Sequence, residues 1–125
     1  MSTIQVNAIQ SSTGTQEVTQ TTIFSGTAKA WVYHDVAASI DDSFNISSVT
    51  DVGTGDFDPQ LANSMSDALY TVNVNSENNG AVTRAGTVVG RATGSFDVIT
   101  YMTHSSAASE NGIAGAHSAV MGSLA

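Results

Sequence analysis

Three stretches decide the fold class: Lys29-Ala30-Trp31-Val32-Tyr33-His34, Ser43-Phe44-Asn45-Ile46-Ser47-Ser48-Val49, and Asp51-Val52-Gly53-Thr54-Gly55-Asp56. In the first, Trp31 and Tyr33 share one face and Ala30, Val32 and His34 the other, the two-residue period of a half-buried strand. The second alternates until its end. The third is dense in turn residues and reads as a hairpin loop, with Gly53 or Gly55 supplying a positive φ. The returning strand is Phe57-Asp58-Pro59-Gln60-Leu61-Ala62, and Pro59, which has no N–H to donate, predicts an edge strand or a bulge there.

Working outward, Leu69-Tyr70-Thr71-Val72-Asn73-Val74 alternates with Tyr70, Val72 and Val74 on one side, and Asn78-Asn79-Gly80 marks a turn. Val88-Val89-Gly90-Arg91 and residues 95–102 read as two more strands, and Ser118-Ala119-Val120-Met121-Gly122-Ser123-Leu124 as the last. Only 60–69 and 105–116 are compatible with helix; the first lacks a long apolar stripe and the second holds Gly112 and Gly115. Strands at regular spacing predict an all-β fold, an antiparallel, jelly-roll-like β-sandwich. Its expected core is Trp31, Tyr33, Phe44, Ile46, Leu61, Tyr70, Val72, Phe96, Val98, Val120 and Leu124.

Residues 1–26 differ from the 27–125 domain. Thr3-Ile4-Gln5-Val6-Asn7-Ala8-Ile9-Gln10 alternates, 11–14 reads as a turn, and 17–24 is a second strand rich in β-branched residues. With few large side chains, this extended arm buries little on its own. It is expected to dock through Ile4, Val6, Ile9, Val18 and Ile23 on the main domain or on another copy of the chain.

The 125 residues amount to one domain plus this arm. Charged residues make up only 11%, against about a quarter in an ordinary soluble domain, and 17 Ser and 15 Thr supply the polar surface instead. Three Lys+Arg against 11 Asp+Glu give a net charge of -8, which argues against binding nucleic acid or an anionic membrane. There is no cysteine and no apolar run long enough to span a bilayer. The Met1-Ser2-Thr3-Ile4-Gln5 start lacks the features of a secretory signal, so synthesis in the cytoplasm is expected.

Seven of the eleven acids fall between Asp35 and Asp67, which raises the question of a calcium site. The spacing fails the helix-flanked loop pattern, and the plainer reading is Asp at turns, bonded to backbone N–H groups. His34, His104 and His117 lack ligand spacing; only a threefold axis would gather copies of one of them, and His34 reads as a strand-surface or subunit-contact residue. No serine elbow or phosphate loop is present, and the adjacent Asp41 and Asp42 point to opposite faces of a strand. No enzyme activity, metal or cofactor is expected. Asn45-Ile46-Ser47 matches the glycosylation pattern without a secretory context. Tyr101, opposite Phe96 and Val98, is the expected exposed aromatic for a surface or sugar contact.

The segment Ala28-Lys29-Ala30-Trp31-Val32, the stretch 40–51 and Gly53-Thr54-Gly55-Asp56-Phe57 together resemble a module of tailed-bacteriophage fibre and virion-surface proteins. Ser64-Met65-Ser66-Asp67-Ala68-Leu69-Tyr70 and the Ser-Phe-x-Val-x-Thr-Tyr strand at 95–101 extend the likeness, and the opening residues 2–15 resemble the start of marine phage fibre proteins. Val52 stands where an Asn is frequent, Pro59 interrupts a strand that usually alternates freely, and a module without the family's long shaft is expected. The resemblance implies a β-sandwich knob in a virion, a homotrimer that contacts other tail or capsid proteins and a host-surface glycan or protein. Capsid decoration and a soluble lectin-like module are the alternatives.

Overall fold

A computed structural model describes residues 7–78, 84–102 and 113–125. The chain forms β1 (Ala8–Gln10), β2 (Glu17–Thr19), α1 (Gln20–Gly26), β3 (Ala28–Asp35), β4 (Ile40–Phe44), β5 (Ile46–Gly53), β6 (Asp56–Leu61), β7 (Thr71–Asn78), β8 (Arg84–Arg91), β9 (Phe96–Met102) and β10 (Ile113–Met121). From β3 onward the strands make two antiparallel four-stranded sheets, β4-β3-β10-β7 and β5-β6-β9-β8. These pack face to face as a β-sandwich. The β3–β4, β5–β6 and β8–β9 pairs are hairpins that stay within one sheet. At one side β7 meets β8 across the layers. Gly86 makes this approach possible, because a Cβ there would collide with Val74 Cγ1.

The alternation of β3 is as read, but its sense is inverted. Ala30, Val32 and His34 face inward, while Trp31 is 37% exposed and Tyr33 half-buried on the outer face. The two layers are complementary in size. Small residues of the first sheet (Ala30, Val32, Ala116, Ser118) leave room for large ones of the second (Phe57, Phe96, Leu61). An inward Trp31 would overfill that space. Leu61, Tyr70, Phe96, Val98 and Val120 are buried as expected, Ile46 and Val72 pack against them, and Met65 and Phe57 are core residues the pattern did not reveal.

Phe44 and Leu124, assigned to the core by sequence, are 55% and 44% exposed. The reason at Phe44 is local. Asn45 adopts φ 57° and breaks the alternating run 43–49 into the end of β4 and the start of β5, so that Phe44 turns out and Ile46 turns in. Its Nδ2 donates to the carbonyls of Lys29 and Asn63, and its Oδ1 accepts from the Asn63 N–H. The amide that a glycan would occupy thus holds the corner between the sheets. At the chain end, Leu124 lies past the last strand and meets Met65 only in a single β-bridge.

Two turns follow the sequence closely: Gly14 and Gly55 both take φ 68°. Pro59 does not make β6 an edge, since β6 lies between β5 and β9. The Leu61 N–H donates to Gly94 O on the β9 side, and by parity the Pro59 nitrogen points the same way. There the β6–β9 ladder stops after Phe57 and resumes only at the Gln60–Ser95 bridge. In the arm, 17–24 is not one strand. Thr19 caps α1 by accepting from the Thr22 N–H at 3.2 Å, turning the chain into helix after Thr19.

His34 is fully buried, not a surface residue, and packs its ring 4.7 Å from that of Phe57. Its Nδ1–H donates to the Asp35 carbonyl at 2.9 Å, and its Nε2 is buried without a partner. Burial lowers its pKa below 6.5, outweighing the Asp35 carbonyl bond and charge that act upward. Below pH 6.5 the unfolded chain therefore binds a proton that the folded chain refuses, and stability falls until the lowered folded pKa is reached. A His34→Leu variant should match the wild type in thermal melts above pH 6.5 and lose less Tm below it. The Asp35 carbonyl still accepts from the Ala38 N–H, so the substitution orphans nothing there. Parallel slopes for the two proteins would disprove this role.

Candidate functional site

Register assembles the outer face of the first sheet into two rows. Phe44, Trp31, Ala119 and Asn73 lie side by side across β4, β3, β10 and β7, and Asp42, Tyr33, His117 and Asn75 form the next row. Ala119 is the small residue between Trp31 and Asn73. It leaves a hollow of roughly 410 Å³ bounded by Trp31, Tyr33, Asp42, Asn73, Asn75 and His117. The Tyr33 and His117 rings are stacked with centroids 4.2 Å apart and planes within 4°. The Tyr33 hydroxyl donates to Glu77 Oε2 at 2.7 Å, which is the main reason its pKa is raised. His117 Nε2 lies 3.8 Å from the same oxygen. Gly115 leaves space for the Tyr33 ring, since a Cβ there would lie 2.6 Å from Tyr33 Cε2. Among the described residues, the Asn73 and Asn75 side chains have no hydrogen-bond partner.

Beside this hollow lies an apolar groove of roughly 570 Å³, where α1 meets the sandwich. Ile23, Phe24, Ala28, Phe44 and Leu124 line it, and Phe24 is 61% exposed. Among the described residues no carboxylate side chain lines the groove. Its one charge is Lys29, whose Nζ donates to Thr27 Oγ1 at 2.7 Å.

Of the arm residues singled out by sequence, Ile9 and Val18 are cross-strand partners in the β1–β2 hairpin and are 56% and 43% exposed. Ile23 lines the groove, while Ile4 and Val6 lie outside the described residues. Tyr101 is half-buried opposite Ala85 on the other sheet, remote from the aromatic hollow in the fold. His34 and His117 point to opposite faces of one sheet, and His104 lies outside the described residues. Among the described residues no group of His, Asp and Glu could hold a metal ion. Asp35 and Asp67 accept from backbone N–H groups at turns, and Asp42 from the Ser43 N–H within β4. Asp58 accepts from Gln60 Nε2 at 2.7 Å, and its carboxyl is pushed up by burial and then by the neighbouring charge of Asp97.

The hollow was partly legible. The 71–77 stretch places Asn73, Asn75 and Glu77 opposite Val72 and Val74, an outward polar stripe. His117 and Ala119 could not be joined to Trp31 without knowing that the first and last strands of the sandwich pair. Among the described residues no helix is long and apolar enough to cross a membrane. No protein-family model, curated protein or solved structure matches this chain.

Proposed function

We propose that this chain is a structural attachment protein of a virion, without enzymatic activity. It assembles as a homotrimer, seats on a larger particle through residues 1–26 and presents its β-sandwich outward as a knob. One observation carries the reading: between residues 7 and 26 no residue is buried, yet the segment is folded into a hairpin and a capped helix. A lone two-stranded hairpin is marginal in water, and so is a seven-residue helix. Ile9, Val18 and Phe24 expose apolar surface that a neighbouring chain would cover, and the groove beside α1 offers a complementary lining. Charge agrees with this pairing. The hairpin carries Glu17 next to Val18, and the groove carries Lys29 in a chain of net charge -8.

The likeness of 28–57 and 95–101 to phage fibre and virion-surface modules supplies the setting. Copies held together convert weak single contacts into firm attachment. Gold-labelled antibody against the 27–125 domain, applied to purified particles from the culture that produces the chain, tests the reading. Regular labelling of tail tips or of the shell is the expected result, and the position separates fibre tip from capsid decoration. Unlabelled particles, with all the protein in the unsedimented fraction, would refute it.

A further inference from the structure

We infer that the hollow over β3 and β10 is a binding site for a neutral saccharide, stacked on Trp31 and held by Asn73, Asn75 and Asp42. The biological purpose of this site rests on the attachment reading above; its geometry does not.

The argument begins with the rings. Trp31 stands between Phe44 and Ala119 in the register, with 37% of its surface open to solvent. Tyr33 and His117 are fixed against each other by stacking, and Glu77 fixes the Tyr33 hydroxyl. Aromatic surfaces fixed before binding offer apolar area at little entropic cost. The C–H face of a pyranose ring is a flat apolar surface of matching kind.

The polar groups complete the match. Asn73 and Asn75 sit one row apart on β7, and each amide offers a carbonyl acceptor and two donor hydrogens. Asp42 lines the same hollow from β4, at the opposite edge of the sheet about 14 Å from β7, with one oxygen committed to the Ser43 N–H and the other able to accept. Amides at one edge and a carboxylate at the other suit hydroxyls on successive units of an oligosaccharide, each of which both donates and accepts. An aromatic floor with a few converging polar groups is the ordinary make-up of a small-ligand site, and roughly 410 Å³ lies within its usual size range.

The same residues exclude other ligands. No Lys or Arg lines the hollow, and Asp42 with nearby Glu77 makes it negative, so phosphate, sulfate and sialic-acid carboxylates are disfavoured. A peptide strand needs a free sheet edge, whereas β3 and β10 are interior strands paired on both sides. A second copy of the chain is better served by the neighbouring apolar groove than by a rim of uncommitted amides.

The test uses the full chain on a printed array of neutral and sialylated oligosaccharides, then titrates the neutral oligosaccharide giving the strongest signal. Trp31 is the single tryptophan, so its fluorescence reports the site directly. Neutral oligosaccharides should bind and shift that emission. Trp31→Ala and Asn75→Ala should each weaken binding about tenfold or more, and Tyr101→Ala should not. Because Asn75 is exposed, Asn75→Ala decides the matter if Trp31→Ala fails to fold. Hits restricted to acidic glycans, no hits at all, or neutral binding unchanged in Asn75→Ala would overturn the site. Labelled particles combined with a blank array would remove the saccharide site and leave the virion reading standing. Neutral binding without particle labelling would do the reverse.

Discussion

Phe57→Ala should cost about 3–5 kcal/mol and lower the urea midpoint with an unchanged slope, whereas Phe44→Ala should cost under about 1 kcal/mol. Phe44 ends β4 and Phe57 lies in β6, and sequence alone favours Phe44 for the core. The structure reverses them: Phe57 is 1% exposed and Phe44 is 55% exposed. Phe57 lies against the His34 ring between the layers, in a strand whose ladder to β9 is broken just beyond it at Pro59. With so few ladder bonds on that side, β6 depends on its inward side chains, Phe57, Pro59 and Leu61, to stay in place. Total stability of a domain is about 5–15 kcal/mol, so the loss is a large share of it. Equal costs would contradict the assignment of Phe57 to the core and Phe44 to the surface, and reversed costs would mean that the two faces have been exchanged.

The second large effect concerns assembly. A double substitution, Phe44→Asp with Leu124→Asp, should convert the assembled protein to monomers while leaving the sandwich folded. Both residues are exposed in the single chain, so the fold gives up little. In an assembly they are to be covered, and a buried unpaired carboxylate costs several kcal/mol, equivalent to a loss of association of more than about a hundredfold. Val52→Asp with Val89→Asp is the control, since these residues are 61% and 56% exposed on the other sheet, do not line the groove, and add the same charge. If this double control dissociated the protein equally, general charge repulsion would be responsible and the groove would have no special part.

The architecture was legible because strand period and turn chemistry are local properties. Gly55, the hairpin beside it and the buried set from Leu61 to Val120 follow from residues close together in sequence. Which face of a strand turns inward is not local. It depends on how large the opposing sheet's side chains are, and here Phe57 and Phe96 claim the space that Trp31 would have filled. A single residue, Asn45, was enough to separate Phe44 from Ile46, although both fall on one side of an unbroken strand. The aromatic hollow needed more still. It unites Trp31 with His117 and Asn73 through the pairing of β3 with β10 and of β10 with β7, contacts between distant segments that no short motif encodes. In the arm, Thr19 and Thr22 close a helical turn where β-branched composition suggested continued strand.

Sedimentation equilibrium of the full chain, beside the 27–125 domain alone, bears most directly on the idea that this protein completes its fold by joining copies of itself. The full chain should have about three times the 12.8 kDa monomer mass, and the shortened domain the mass of one folded monomer. A full-length protein that stays monomeric across the micromolar range, with residues 1–26 still protected from protease, would contradict it.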